Sequence, residues 1–390
     1  MPTKYNFSSR TSWEFKENEL SILLKGIRAE GEIIDLTRSN PTNCGFKYDS
    51  KIVKSLSGNG KLFYEPSPKG SIRAREAVAD YYKKKNIEIS PEDIFLTSST
   101  SEAYSFVFRL LLDPQEMVLL PSPSYPLFQY LCGLNDVETG YYRLHYNGEW
   151  RIDFSCLSRL LAEEAKALVM VNPNNPTGSY IKADEMVKLN EICRKNNLAL
   201  ICDEVFHDFS LSREKNHISF AGNRDCLTFT LSGISKILAL PQMKISWIVI
   251  SGPSEAKEEA KKRLEIIADT YLSVNTPAQN ALKSWFELKD GLQSQILNRI
   301  KINYAELSKQ VQGSKYALLN SEGGWYAVLR LPDNVSEEDW SLKLLKCHKV
   351  FVHPGYFFDF SQGNHVVLSL LCDENDFAEG VKIIKTAELH

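Results

Sequence analysis

The feature that most constrains the fold is an alternation, in the middle of the chain, of short apolar runs with helical patterns. The apolar runs end in turn-forming residues, and helical stretches such as SIRAREAVADYYKKK lie between them; the runs are DIFLTSS, EMVLLPSPS, ALVMVNPNN, LALICDEV, CLTFTLSG and ISWIVISG. Strands that are apolar throughout are buried on both faces, so this pattern predicts an α/β fold with a mostly parallel sheet sandwiched by helices. Ligands of such sheets bind at the carboxyl ends of the strands, where we expect the functional residues.

The rest of the chain has a different pattern. Near residue 255 the pattern changes to two long charged helices, predicted at 254–272 and 276–311. Four further strand candidates and a closing helix follow, which predicts a smaller α+β domain. A length of 390 residues also exceeds the usual range of one domain. We therefore predict a large domain at 46–285 and a small C-terminal domain at 286–390, to which an N-terminal segment at 1–45 contributes.

Charge and composition favour a small-molecule partner. The formal net charge is -3 with the two signs mixed along the chain, which gives no basic field for nucleic acid or an anionic membrane. The first thirty residues have no signal-peptide core and no later run is long enough to span a membrane, so we expect a cytoplasmic protein. Eight cysteines without a CxxC pair and seven histidines without metal-ligand spacing predict no metal site.

Polar clusters follow four of the apolar runs. The first, 97–101 (TSSTS), runs straight into a helix, and a helix N-terminus with hydroxyl groups beside it can bind phosphate, although such residues are usually only an N-cap. The second is 172–178 (NPNNPTG), which on its own is also typical of a simple turn. The third is the acidic pair at 203–204, and the fourth is 232–236 (SGISK), whose lysine taken alone would be a surface charge.

The order and spacing of these clusters resemble one family. NPNNPTG, then DEVF, then SGISK, then a cation at Lys244, are similar to the motifs of the fold-type-I pyridoxal-phosphate (PLP) aminotransferases, the aspartate aminotransferase superfamily. The segments DLTRSNPTNCGF, YEPSPKGSIRAREAVADYY, PSPSYP and VHPGYFF resemble other parts of that family, so nearly the whole chain is covered.

The resemblance implies a role for each matching residue. Lys236 would hold PLP as a Schiff base and then act as the base that moves the proton, and Asp203 would keep the pyridine nitrogen protonated. Further contacts to the cofactor ring would come from Asn175, Tyr125 and the residue at position 206, and contacts to its phosphate from Ser99, Thr100, Ser101, Ser235, Lys244 and, in a homodimer, Tyr64 of the partner subunit.

Three positions depart from the family pattern. Phe206 replaces a tyrosine that would hydrogen-bond the cofactor's phenolic oxygen, and Lys244 replaces an arginine at the phosphate. Val367 stands where most members have the arginine that binds the substrate carboxylate. Either another group binds the carboxylate, for which Arg38 with the adjacent Ser39 is the candidate, or the substrate has none. Arg38 could equally be a surface arginine beside a strand.

The leading prediction is therefore an aminotransferase that moves an amino group from an amino acid or amine to a 2-oxo acid or other carbonyl compound by a ping-pong mechanism. The same scaffold also supports PLP-dependent lyases and decarboxylases, which form the alternative. A non-catalytic protein of this fold is a third possibility, against which the retention of Lys236, Asp203 and Asn175 argues.

Overall fold

The computed structural model describes residues 5–57, 64–161, 165–212, 217–334 and 336–387. In these residues the strands form sheets of eight, four and two strands. They are β1 (Ile34–Asp35), β2 (Ile94–Thr97), β3 (Met117–Ser122), β4 (Glu138–Tyr146), β5 (Trp150–Ile152), β6 (Ala167–Val171), β7 (Ala199–Asp203), β8 (Thr228–Gly233), β9 (Ser246–Ser251), β10 (Ala317–Leu318), β11 (Tyr326–Arg330), β12 (Val350–Phe351), β13 (His353–Pro354) and β14 (His365–Ser369).

Helices cover the sheets and connect their strands. The described α-helices are α1 (Glu19–Glu30), α2 (Lys51–Lys54), α3 (Ile72–Lys83), α4 (Thr100–Leu111), α5 (Phe128–Leu134), α6 (Phe154–Leu160), α7 (Ala183–Asn196), α8 (Ile234–Ile237), α9 (Ser254–Tyr271), α10 (Thr276–Glu287), α11 (Lys289–Val311), α12 (Glu337–His348) and α13 (Glu374–Thr386).

The eight-stranded sheet has the order β2-β9-β8-β7-β6-β3-β4-β5. Strands β9 and β5 are antiparallel to their neighbours, and the other six run in one direction. Val171 at the end of β6 pairs with Asp203 at the end of β7, which in turn pairs with Leu231 of β8. The predicted mostly parallel sheet is thus confirmed, and the segments that follow these strands meet at one edge.

Both faces of the central strands of this sheet are buried, as the uniformly apolar runs predicted. Successive residues of β7 point to opposite sides, so Ile201 packs into the apolar layer with α4 and α9, while Leu200 packs with α6 and α7. Both side chains are 0% exposed. A strand with two buried faces has no polar alternation, which explains why these runs contain so few charged residues.

The C-terminal part forms a second apolar core. The antiparallel sheet β10-β11-β14-β13 packs against α11, α12 and α13. The N-terminal segment joins this core, because β1 pairs in parallel with β12 and Leu36 is buried against the same cluster. The division at about residue 285 stays a prediction.

Two details differ from the predicted elements. The helical pattern from 276 to 311 is divided at Leu288 into α10, which packs on α3, and α11, which packs on α13. The hairpin of β4 and β5, which extends the large sheet, was not predicted, because β4 is half exposed and lacks a continuous apolar run.

Within the described residues, none of the helices is long and apolar enough to cross a membrane. The same residues contain no group of histidine, cysteine or acidic side chains placed to hold a metal ion.

The burial of the central strand can be tested by a pair of isoleucine substitutions. Ile201→Ala leaves a cavity between β7 and two helices, and should lower the free energy of unfolding by about 2–5 kcal/mol. Ile266→Ala is the matched control, because Ile266 on α9 is 72% exposed, and its effect should stay within about 0.5 kcal/mol. Chemical denaturation measures both, and equal effects would contradict this packing.

Candidate active site

The polar clusters predicted from the sequence follow strands that end at the same edge of the large sheet. Asn175 comes after β6, Asp203 ends β7, and Lys236 follows β8. Tyr125 and Ser99 follow β3 and β2, whose carboxyl ends lie at this edge as well. The arrangement brings an amine, a carboxylate, an amide and a phenol to the region where such sheets bind ligands.

Asp203 is a buried carboxylate with two hydrogen-bond donors. The backbone N–H of Val205 donates to Oδ1 at 3.0 Å, and the hydroxyl of Tyr104 donates to Oδ2 at 3.2 Å. Burial raises the pKa of Asp203 to about 6, although both donors and the positive charge of Lys236 act against the shift. A carboxylate with a pKa near neutrality is typical of a functional site rather than of a structural ion pair.

The second acid of the pair has a different environment. Glu204 accepts hydrogen bonds from the Ser219 hydroxyl and the Phe220 backbone N–H, both at 2.7 Å. Its carboxylate fixes the chain segment that follows and is 2% exposed. Of the two residues, Asp203 alone faces the lysine.

Lys236 lies in the four-residue helix α8, directly after β8. Its Nζ atom is 5.5 Å from the ring centroid of Phe206 and 5.1 Å from that of Trp325. Desolvation by these surroundings lowers the pKa of Lys236, while the nearby Asp203 opposes the shift. An amine that loses its proton more easily is a better nucleophile and base.

Asn175 and Tyr125 have free hydrogen-bonding capacity. Asn175 is buried, yet its Oδ1 atom has no hydrogen-bond partner among the described residues. Tyr125 is half exposed, and the pKa of its hydroxyl is raised, chiefly by burial and also by the charge of Asp203. A buried amide without a protein partner is costly, which is a reason to expect a ligand beside it.

The N-terminus of α4 is partly closed by its own side chains. The Ser99 hydroxyl accepts from the Glu102 N–H at 3.1 Å, so the N-cap that the sequence also allowed is present. The Glu102 carboxylate accepts from the Ser98 N–H at 2.7 Å and from the Ser273 hydroxyl at 2.6 Å. Thr100 and Ser101 form the first turn of the helix and are partly buried.

Four further predicted residues lie at the surface or in the core. Lys244 is exposed and forms no ion pair with another described residue, while Ser235 next to Lys236 is partly exposed. Tyr64 is 73% exposed. Phe206 is buried edge-on against Trp325, with 5.3 Å between the ring centroids, and provides no hydroxyl group.

The position of the expected carboxylate-binding arginine is closed. Val367 is fully buried with Val328, Phe358 and Trp150 in an apolar cluster. Arg38 points instead to the surface, where it is 45% exposed and lies 3.8 Å from a carboxylate oxygen of Asp376.

Ser39 has a partner closer to the site. It lies beside the hydroxyl of Tyr326: burial raises the pKa of Tyr326 to about 12, and the nearby Ser39 acts against this shift. The ring of Tyr326 lies 6.3 Å from that of Phe206 between centroids, which connects Ser39 to the surroundings of Lys236.

The sequence did not single out Tyr104, Trp325 or Tyr326. Tyr104 lies within α4 and reaches Asp203 only because that helix packs across the sheet. Trp325 and Tyr326 belong to the C-terminal part of the chain and meet Lys236 and Phe206 through tertiary contact. An aromatic pair before an apolar strand is no distinctive motif, so its position alone gave no signal.

The side chains at this edge fit PLP, the cofactor that the resemblance implies. An amine with a lowered pKa can bind it covalently, a buried carboxylate can pair with its ring nitrogen, and the unpaired amide of Asn175 can reach a ring substituent. The N-terminus of α4, tied to Asp203 through Tyr104, lies where a phosphate group could bind.

Comparison with known proteins agrees with this geometry. The family described as aminotransferase class I and II matches residues 39–384. An alanine aminotransferase of Mycobacterium bovis is 28% identical over 378 residues, covering 91% of this chain and 86% of the relative. An S-alkyl-thiohydroximate lyase of Arabidopsis thaliana is 29% identical over 322 residues, covering 78% and 67%.

The fold is also that of solved structures. An alanine aminotransferase from Pyrococcus furiosus superposes with a TM-score of 0.87 at 21% identity, over 97% of this chain and 98% of that one.

Asp203 makes the stability of the cofactor-free protein depend on pH. Its folded pKa, about 6, lies above the ordinary value of 3.8. Ionisation of Asp203 therefore does not affect the free energy of folding well below pH 4, and makes folding less favourable by its full cost well above pH 6. Asp203→Asn should therefore stabilise the cofactor-free protein at pH 8 by about 2.4 kcal/mol more than at pH 4, since one pKa unit is about 1.36 kcal/mol and part of the penalty is already present at pH 4.

Urea unfolding at the two pH values measures this difference. Asp290→Asn, at a carboxylate that is 95% exposed, serves as the control and should show no such pH dependence. An Asp203→Asn effect of the same size at both pH values would rule out burial of the charge as its cause.

Proposed function

This chain belongs to the class I and II aminotransferase family, and on that basis we propose which of its residues carry out the reaction. It is an aminotransferase of fold type I, and membership of the family implies PLP as the cofactor. When bound, PLP supplies an electron-poor ring that accepts the electron pair left on a substrate carbon when a proton departs. Amino transfer proceeds in two half-reactions, first from a donor and then to a carbonyl acceptor.

Lys236 is proposed to bind the cofactor covalently and then to move the substrate proton. Its lowered pKa, caused by desolvation between Phe206 and Trp325, favours the neutral amine that both tasks need. The same rings exclude water from the amine. This lysine environment is the observation on which the proposal chiefly rests.

Asp203 is proposed to hold a proton on the cofactor's ring nitrogen. A buried carboxylate with a pKa of about 6 lacks a full set of partners, and a cation placed beside it would favour the ionised form. The hydroxyl of Tyr104 and the backbone N–H of Val205 each donate to one of its two oxygens and hold the carboxylate in place.

The remaining residues are proposed to orient the cofactor. Asn175 would donate to the phenolic oxygen and Tyr125 would stack on the ring, while Phe206 contributes only its apolar edge. The phosphate would be bound at the start of α4 and near the lysine, by Ser99, Thr100, Ser101, Ser235 and Lys244.

We also propose that the enzyme works as a homodimer in the cytoplasm. Tyr64 is 73% exposed, which leaves it free to reach the phosphate bound in a second copy. All eight cysteines are free thiols, as is usual in a reducing compartment.

The proposed substrates are an amino acid or amine as donor and a 2-oxo acid or other carbonyl compound as acceptor. Relatives named alanine aminotransferase make L-alanine the first donor to test. The lyase or decarboxylase alternative is not favoured, since the compared structure and the Mycobacterium bovis relative are both aminotransferases.

A labelling experiment followed by a half-reaction tests this function. Borohydride reduction of the PLP-loaded protein should place a pyridoxyl label on Lys236, identified by mass spectrometry of the peptide. L-alanine, or another donor from a panel of amino acids and amines, should then bleach the cofactor absorbance and release the matching carbonyl compound without ammonia. A label elsewhere would refute the role of Lys236, and ammonia release would indicate a lyase.

The role of Arg38 as a carboxylate ligand is a separate prediction. Arg38→Ala should raise KM for an amino-acid donor roughly tenfold, by loss of about 1.4 kcal/mol of binding, and leave KM for an amine without a carboxylate unchanged. The control is Arg263→Ala, at a surface ion pair on α9. Arg299 is not suitable for this purpose, because its side chain donates to the carbonyls of Cys44, Leu371 and Cys372. An unchanged KM in Arg38→Ala would show that this arginine is only a surface residue.

A further inference from the structure

The turn that carries Lys236 is held by side chains from other parts of the chain. Helix α8 has only four residues, so its backbone N–H groups cannot satisfy all of its carbonyl groups. The Leu238 N–H closes on the carbonyls of Ile234 and Lys236. The carbonyl of Ile237, next to the lysine and inside the core, instead accepts from the side chain of Gln293 at 2.9 Å.

Gln293 uses all of its amide groups in this position. Its Nε2 atom donates to the Ile237 carbonyl and also to Oδ2 of Asp208, at 2.7 Å, while its Oε1 atom accepts from the Lys289 amine at 3.0 Å. The side chain is 6% exposed. An amide whose oxygen and nitrogen are both hydrogen-bonded has one favourable orientation, so it holds its neighbours at fixed distances.

Asp208 is a rigid acceptor for this amide. It lies on the segment that follows Asp203, and the Tyr81 hydroxyl donates to it at 2.9 Å, beside an ion pair with Lys85. Burial alone would raise the pKa of Asp208, but the charges of Lys85 and Lys289 lower it below the ordinary value. The carboxylate therefore stays ionised and keeps its geometry throughout the neutral range.

The backbone around the turn shows why such an anchor is needed. Ala239, three residues after the lysine, has φ +49°, a left-handed conformation that costs a non-glycine residue energy. Its carbonyl accepts from the Tyr48 hydroxyl at 3.0 Å. Two outside donors, Tyr48 and Gln293, thus hold a strained turn that would relax without them.

We propose that Gln293 is a positioning residue, which fixes the backbone of Lys236 relative to the segment that carries Asp203. This inference rests on the proposed role of Lys236 as the covalent ligand of the cofactor. Gln293 touches neither cofactor nor substrate, and acts through the Ile237 carbonyl and Asp208. Its loss allows the turn to shift, and displacements of about 1 Å are enough to slow reactions strongly.

The same helix links this anchor to the C-terminal sheet. Ten residues after Gln293 on α11, Asn303 donates to the carbonyls of Leu370 and Cys372, at 3.0 and 2.9 Å, just beyond the end of β14. Helix α11 therefore contacts both the turn at Lys236 and the end of the C-terminal sheet through buried amide side chains.

Substitution of Gln293 in the PLP-loaded enzyme tests the proposal. Gln293→Leu removes both donated bonds at similar volume. We expect PLP to bind to Lys236 roughly tenfold more slowly on reconstitution, and the pH midpoint of the bound cofactor's absorbance to move by about half a unit. Gln293→Asn, which keeps the amide but shortens it by one methylene, should show smaller changes in the same direction.

Gln310→Leu is the matched control. Gln310 lies on the same helix and its Nε2 also bridges a backbone carbonyl and a carboxylate, of Ala378 at 2.9 Å and Glu306 at 2.8 Å, far from the lysine. It should lose stability without a change in reconstitution rate or pH midpoint.

The proposal would be overturned by a native reconstitution rate and pH midpoint in both Gln293 variants, or by equal changes of these quantities in Gln310→Leu. If Gln293→Leu does not fold, the result for Gln293→Asn decides. Failure of the proposed function would show in the native protein as labelling away from Lys236.

Discussion

The structure depends on the carboxylate of Asp203, which is buried although it forms no ion pair with another described residue. Asp203, at the end of the central strand β7, accepts two hydrogen bonds and forms no ion pair within the described part of the chain. Burial of its charge is therefore unfavourable, and raises its pKa to about 6. The pairing of β6, β7 and β8 places Asp203 beside the turn that carries Lys236. The hydroxyl of Tyr104, on α4, donates to the Asp203 carboxylate. The core of the large sheet compensates for a site that is unfavourable on its own, as is common where ligand binding is prepared in advance.

A second carboxylate on the same segment shows that burial alone does not decide this behaviour. Asp208 is five residues further on and also buried, but it is surrounded by Lys85, Lys289, Tyr81 and Gln293, and its pKa is lowered. Burial raises the pKa of Asp203, and the hydrogen bonds from Val205 and Tyr104 and the charge of Lys236 do not offset this shift. The contrast separates a carboxylate whose charge is balanced within the protein from one whose charge is not.

The sequence predicted those features that depend on local pattern. Uniformly apolar runs predicted the mostly parallel sheet. The rule that ligands bind at strand ends drew attention to four polar clusters, and the resemblance to the aminotransferase family then singled out Asp203 and Lys236 within them. Gln293 and Trp325 could not be found in this way, because each meets the site through packing of distant segments. The break at Leu288 was missed for the same reason, since two tertiary partners, and not helix propensity, divide that stretch.

The closed position at Val367 limits how substrates can be selected. Because Val367 is packed by Val328, Phe358 and Trp150, a charged side chain could not be placed there without opening an apolar cluster, at the cost of burying an unpaired charge. Selection must therefore come from groups that border the site elsewhere. The N-terminal segment is the part best placed for this, because Ser39 lies beside the Tyr326 hydroxyl and the Arg38 carbonyl accepts from the Ser369 hydroxyl at 2.5 Å. Both contacts are to strands of the C-terminal sheet, and Tyr326 also packs near Phe206, so the segment and that sheet together border the surroundings of Lys236.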